Sequence, residues 1–495
     1  MDKSLRSLLS LSGQLVAYGI GFVGRQLVTL ITLPLITNLV SQEDFGIISI
    51  ITSFYIVCNT ITNMGLPSAT FRFFNDKQDK NEKNQVLGAS QTLFFLLASI
   101  LAVIIIVFSG SISNLLLGSR NYSLVIRLVA LLVVVETMNY YGSILLRLHT
   151  RPGAVSTINM VSVVGQMGLA LIFIKTFESG VFGYWLGFLL GALIGLVLTI
   201  WLNRKVIVFN FSLPTARELL AYGIPLVPAS LSITLLQLSD RFFLRTFVGL
   251  DVVAVYAIGY KVGSLVNLLL APFQIAWPNF AFSLIKDPEA SKIYRDVTTL
   301  IVLGCSIFTL GTYIFRYQLI DLLSPESYRA GADIVPWISA SMILLGLNPV
   351  VTLGPKIKKD TRPLAWISVV AALLNILLLM IFIPVWNISG AAIATFLSYL
   401  FLTVISYIIS LRYFYFPLDW KRIVITIGSA IILGLLNIPV EAGIKNPANL
   451  FLLQILILIM YPLILIWFRI IPAKNMLQVL IEKADEIKLK WNMLD

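Results

Sequence analysis

Along nearly the whole chain, apolar residues run in long blocks separated by short polar breaks. Crossing the hydrocarbon core of a bilayer as a helix takes about 20 mostly apolar residues. Windows that meet this condition fall near residues 14–38, 45–66, 87–109, 122–146, 154–174, 181–202, 219–239, 252–276, 297–316, 333–354, 364–384, 389–411, 423–440 and 450–468. The blocks do not alternate apolar and polar residues as barrel strands do. An open strand edge has no hydrogen-bond partners in hydrocarbon, so helices are what the pattern predicts. The predicted fold class is an all-α integral membrane protein with about fourteen transmembrane helices.

The chain also resembles itself. The tetrapeptide AYGI at 17–20 recurs at 221–224, and the turn SQEDFGIISI from Ser41 is echoed by GLDVVAVYAI from Gly249. GLPSATFRFF, with Pro67, closes the second span, and AWPNFAF, with Pro278, closes the eighth. Spans one to six and seven to twelve therefore read as two pseudo-symmetric six-helix bundles around a central cavity, residues 1–205 and 206–415. Six is even, so the copies share an orientation and their axis runs along the membrane normal. Spans thirteen and fourteen, within 416–470, fall outside the repeat. Residues 471–495 place Leu477, Leu480, Ile481, Ile487 and Trp491 among Glu and Lys, which reads either as a cytoplasmic amphipathic helix or as a solvated basic tail.

Composition sharpens this picture. Of 495 residues, 58% are hydrophobic and 12% charged, and the mean hydropathy is +0.91, which leaves no stretch for a soluble catalytic domain. Of the 36 Lys and Arg residues, 26 fall at the N-terminus, in every second loop and in the tail, 7 fall on the opposite side and 3 inside spans. This bias predicts that both termini are cytoplasmic. The basic residues are scattered through short loops, so the net charge of +12 points to membrane topology and not to nucleic acid. The stretch after Lys3 and Arg6 is too long for a signal-peptide core and reads as a retained first span.

Few residues carry chemistry. Cys58 and Cys305 lie far apart inside apolar blocks and read as lipid-facing or packing residues. The sole histidine, His149, has no neighbouring ligand set, so no metal is expected. No Gly-Lys-Ser/Thr loop is present to cradle a nucleotide phosphate. Asp321, Glu326 and Arg329 share the longest turn of the less basic side and read as a solvated edge. These observations predict no catalytic site, no metal and no cofactor.

Two stretches carry a family resemblance. LPLITNLVSQEDFG at 33–46, followed by GLPSATFRFF, and AYGIPLVPASLSITLLQLSDRFFL at 221–244, followed by GLDVVAVYAIGYKVGSLVN and PFQIAWPNF, resemble oligosaccharide flippases. These form the polysaccharide-exporter branch of the multidrug/oligosaccharidyl-lipid/polysaccharide (MOP) superfamily. The resemblance covers essentially the whole chain and includes the Asp240-Arg241 pair and Pro278. It implies a flippase of the bacterial inner membrane that moves an undecaprenyl-diphosphate-linked oligosaccharide outward for O-antigen, capsule or exopolysaccharide synthesis. The implied partners are that substrate, membrane lipids, a polysaccharide polymerase and a chain-length regulator. The same superfamily contains cation-exporting multidrug antiporters, so fold alone leaves that alternative open. A non-transport scaffold of a polysaccharide assembly is a third class, and it has no need of charges at midmembrane depth.

Those charges are the candidate site. An unpaired charge at the bilayer centre costs about 2.5–3.5 kcal/mol on insertion scales, so such residues face a cavity or a partner. Arg25 and Lys261 lie midway along the first and eighth spans, one in each bundle, and Arg127 lies just inside the fourth. A diphosphate suits this lining, because guanidinium binds its oxygens bidentately and ammonium adds point charge. Each residue has a plainer reading: an ion pair within its bundle for Arg25, and snorkelling to the interface for Lys261 and Arg127. Arg147, with Arg151, either attracts the anionic donor at the inner mouth or serves only topology. Glu136, the acid deepest in a span, either pairs with Arg25 or couples transport to a proton or sodium gradient, the membrane potential being a further source of drive. Asp240 and Arg241 read as a packing pair. Asn59, Asn63, Asn139, Tyr140 and Gln237 are either sugar contacts or interhelical hydrogen-bonding residues, and Pro34, Pro225, Pro228, Pro272 and Pro349 are hinge candidates.

Overall fold

A computed structural model describes residues 23–149, 151–177, 180–204, 206, 210–285, 287–358, 360–444, 446–468 and 470. The amphipathic tail and the first part of the first span lie outside these residues. The helices in chain order begin with α1 (Val23–Leu39), α2 (Gln42–Asn63), α3 (Leu66–Asp76), α4 (Lys80–Val107), α5 (Ser109–Leu117), α6 (Ser123–Leu148), α7 (Pro152–Phe177) and α8 (Gly180–Asn203). The second half holds α9 (Leu213–Gly223), α10 (Val227–Phe247), α11 (Leu250–Gly263), α12 (Asn267–Ser283), α13 (Ala290–Ile314), α14 (Arg316–Leu323), α15 (Val335–Val351), α16 (Leu353–Ile357), α17 (Arg362–Tyr413), α18 (Trp420–Gly443) and α19 (Pro447–Trp467).

Among the described residues, twelve helical runs are long and apolar enough to cross a membrane. One of them, α17, is two helices joined at Asn387, whose φ of 49° and ψ of −126° match the first corner of a tight turn. With its two halves counted separately and the shorter α1 added, each of the fourteen predicted spans has a helical counterpart, the first over its described residues 23–38. Several spans are broken where the sequence breaks helices: Met64 and Gly65 take left-handed conformations between α2 and α3, and Pro225 lies in a 3₁₀ turn between α9 and α10. Ser41, Asp79 and Asp419 cap α2, α4 and α18 through side-chain oxygens, satisfying amides that hydrocarbon cannot.

The chain folds as two compact units. The first comprises Met1–Ile285 and Tyr317–Tyr415 and therefore contains α1 to α12, α14 from its second residue on, and α15 to α17. Within it, α2 runs along α10 and α11, and these helices meet on a seam. Near one end of the seam, a Cβ on Gly46 would strike the Leu250 carbonyl; at the other, one on Gly65 would meet the backbone of Gly223. Only glycine permits such backbone approach. Thr60 and Thr234 share a hydrogen bond of 3.1 Å between these ends, and Phe73 meets Tyr222 edge to face. Both cysteines are buried packing residues.

The second unit comprises Lys286–Arg316 and Phe416–Asp495, and groups α13 with α18 and α19. Leu310, Ile314, Leu433, Ile457, Tyr461 and Leu465 form its core. Gln454 donates to the Ile314 carbonyl at 3.0 Å, and Arg316 grips both oxygens of Glu441 at 3.0 and 2.6 Å.

Candidate functional site

Two neighbouring helices carry polar stripes on otherwise apolar surfaces. On α6, Glu136, Tyr140, Ser143 and Arg147 recur every three or four residues, which places them on one face at 3.6 residues per turn. On α7, Asn159, Ser162 and Gln166 do the same. The two stripes and Arg25 of α1 enclose a cavity of about 170 Å³, completed by Asn139, Ile158 and Val163. Helix α8 holds the pair in place. Small residues at Gly187 and Gly191 bring its backbone against α7, and Asn139 of α6 bonds both the Ala192 carbonyl and the Thr199 hydroxyl at 3.1 Å.

The charges in this cavity are not matched. Gln166 donates its amide to Glu136 at 2.5 Å and so anchors the carboxylate from α7. Arg25 is exposed and lines the cavity, and among the described residues no carboxylate pairs with it. Its guanidinium nonetheless attracts Glu136 and repels Lys261 across the site. Lys261 reaches across from α11 to the Gln26 side chain at 3.3 Å, next to Arg25. The structure thus brings Arg25, Arg147 and Glu136 together and sets Lys261 beside them from the other half. Three cations thus stand near one carboxylate, an arrangement whose chemistry suits pairing with an anion.

The remaining sequence candidates lie elsewhere. Arg127 donates to the Ser109 hydroxyl at 3.0 Å, at the start of α5, and does not line the cavity. Asp240 and Arg241 pair at 3.2 Å in the interior of the C-terminal half. Tyr256 donates to the second Asp240 oxygen at 2.5 Å, Arg241 donates to the Gln237 carbonyl at 3.0 Å, and its guanidinium lies 4.5 Å from the Tyr260 ring centre. Asn59 bonds the Tyr55 carbonyl of its own helix. His149 turns its ring to the Leu145 carbonyl and to Phe74. A larger cavity of about 380 Å³ lies among Asn38, Asp321, Glu326 and Arg329. There Asp321 and Arg329 are 3.8 Å apart and about half exposed, a solvated pair.

Sequence reasoning misses Gln166, Ser162, Asn159 and Gln26. For the first three the available signal is the helical period of polar residues on α7, which a search for charges alone passes over.

The described helices share their fold with solved structures of MOP superfamily transporters. The lipid II flippase MurJ, in an inward closed conformation, superposes with a TM-score of 0.74 at 15% identity, covering 92% of this chain and 99% of that one. An inward-facing multidrug resistance MATE family transporter gives 0.61 at 15% identity, over 78% of this chain and 94% of that one. A MOP superfamily transporter from Pyrococcus furiosus, described by a binding pocket of reverse polarity, gives 0.62 at 15% identity, over 83% and 98%. In sequence, residues 9–281 match the family of polysaccharide biosynthesis proteins, and the chain belongs to that family. No curated protein matches it at a significant level.

Proposed function

We propose that the protein is a flippase that carries an undecaprenyl-diphosphate-linked oligosaccharide from the cytoplasmic to the periplasmic leaflet of a bacterial inner membrane, for O-antigen, capsule or exopolysaccharide synthesis. The observation that carries this reading is the sign of the cavity: Arg25 and Arg147 stand in its wall against Glu136, and Lys261 bonds Gln26, the neighbour of Arg25 in sequence. A diphosphate leaving water needs such compensation, since burying an unpaired charge is costly. Each charge-assisted hydrogen bond returns about 1.5–3 kcal/mol. Family membership and the likeness to a lipid II flippase support the same substrate class.

At about 170 Å³, the cavity is smaller than the roughly 300–1,000 Å³ typical of pockets for whole ligands. It has room for the diphosphate, with Tyr140, Asn159 and Ser162 also in its wall. The lipid tail and outer sugars stay outside. Movement follows from alternate opening of the seam, whose backbones approach closely at Gly46–Leu250 and Gly65–Gly223. Transporters of this fold are known in both inward-facing and outward-facing conformations. With both termini cytoplasmic, the membrane potential favours outward movement of the headgroup by about 2.3 kcal/mol per charge per 100 mV.

The test is binding and flipping of undecaprenyl-diphosphate-N-acetylglucosamine, a diphosphate diester, by purified protein in vesicles. Saturable binding with movement between leaflets is the expected result. Transport of a lipophilic cation in place of the diester overturns the reading in favour of a multidrug antiporter.

A further inference from the structure

The flippase reading explains the three cations, and it leaves the carboxylate among them without a role. If tight binding were all the site needed, Glu136 would only weaken it. It is nonetheless built in: Gln166 of α7 holds it at 2.5 Å, and Gln166 itself is 3% exposed. The carboxylate lies in the same cavity wall as Arg25 and Arg147, and Lys261 approaches from the other half through Gln26.

A count of charge gives the carboxylate a purpose. Three cations and one carboxylate leave a surplus of two positive charges, which equals the charge of a diphosphate diester. A transport site must hold its cargo strongly enough to take it from water and weakly enough to let it go. Resting on the flippase reading, we propose that Glu136 is the release group of the site: a fixed anion that trims the cavity to the charge of the cargo, so that the diphosphate neutralises the site on arrival and is not trapped there. Gln166 keeps this anion from closing onto Arg25 as a permanent ion pair. The guanidinium therefore stays open to the phosphate while still feeling the carboxylate across the cavity.

This arrangement makes tighter binding and slower transport go together. Glu136→Gln keeps the size and hydrogen-bonding capacity of the side chain but leaves three unopposed cations around a doubly anionic cargo. In vesicles, its affinity for undecaprenyl-diphosphate-N-acetylglucosamine should rise about tenfold or more, while its flipping rate at saturation falls several-fold. The second variant tests the charge count itself. Glu136→Gln combined with Lys261→Gln restores the surplus of two, and should bring affinity and rate back toward the parent values. A structural role for Glu136 gives no such rescue, because Lys261 belongs to another helix and does not touch it.

Three results overturn the proposal while leaving the flippase reading intact: a parent that binds the diester and a Glu136→Gln variant of equal or weaker affinity; tighter binding at an unchanged rate; or no recovery in the double variant. A variant whose affinity is unchanged but whose rate no longer responds to an imposed proton or sodium gradient assigns Glu136 to ion coupling instead. A parent that does not bind the diester removes the flippase reading on which the proposal rests.

Discussion

On α10, Asp240 is fully buried and Arg241 keeps 10% of its side chain exposed. Each has several partners: the other residue of the pair, the Tyr256 hydroxyl, the Gln237 carbonyl and the Tyr260 ring. On α1, α6 and α7 of the same compact unit, Arg25 and Arg147 stand exposed around a cavity and Glu136 bonds a neutral amide. Both clusters set charge within membrane-spanning helices, where an unpaired ion is expensive. In one, the protein supplies every partner. In the other, Arg25 and Arg147 have no carboxylate within ion-pair distance among the described residues, which is the feature the proposed function uses.

The difference separates scaffold from site. A closed cluster contributes registry, because its members cannot shift without leaving a charge unpaired. Helices α10 and α11 are locked in this way at Asp240 and Tyr256. An open cluster keeps its cations available to a ligand, so substitutions there are expected to act on binding and not on stability.

The largest effect on the folded protein is expected at the closed cluster. Asp240→Ala strands Arg241, and breaking a buried pair from one side costs about 3–5 kcal/mol. The variant should be poorly inserted, or melt well below the parent in a thermal-shift measurement in detergent. Replacing both partners, by Asp240→Ala with Arg241→Met, should recover most of that loss. Equal melting of parent and single variant would break the comparison at its scaffold end.

The next effect falls at the open cluster and has the opposite signature. Arg25→Ala should abolish export of the surface polysaccharide and binding of the diphosphate diester, while abundance and melting temperature stay at parent values. Arg25→Lys should restore only part of the binding, because the bidentate fork is lost. A large loss of abundance in Arg25→Ala would place Arg25 with the scaffold.

Most of the fold was legible in the sequence because the bilayer imposes one length and one pattern on every span. The turn at Asn387 falls between the predicted spans 364–384 and 389–411. Arg25 and Glu136 stood out for the same reason, as charges where charge is rare. What the sequence hid was which charges meet. Arg127 and Glu136 lie on one helix, yet Arg127 bonds Ser109 while Glu136 bonds Gln166 of α7. Such choices depend on how helices rotate against each other, which the small residues of α8 and the seam decide through three-dimensional packing. Gln166 was hidden by its neutrality, although its spacing from Asn159 and Ser162 is that of a helix face.

A smaller effect sharpens the scaffold side. Tyr256→Phe removes one hydroxyl and leaves a buried Asp240 oxygen without its donor. An unsatisfied buried group costs about 1–3 kcal/mol. The variant should melt measurably lower than the parent but above Asp240→Ala, and bind the diester with parent affinity. Weakened binding at parent stability would move the Asp240 cluster from scaffold to site.

The smallest effect is expected at Arg127, which resembles Arg25 in the sequence and differs from it in the structure. Its guanidinium bonds the Ser109 hydroxyl and is otherwise exposed, outside the cavity wall. It leaves no buried carboxylate behind when removed, and a side chain of this length can carry its charge to the interface. Arg127→Ala should therefore change stability by no more than about 0.5 kcal/mol, as surface substitutions do, and leave diester binding and polysaccharide export at parent levels. The informative measurement is the affinity of Arg127→Ala beside that of Arg25→Ala under identical salt. A similar fall in both would mean that the site senses the summed positive charge of the half and not the geometry of the cavity, and the contrast between open and closed clusters would then lose its meaning.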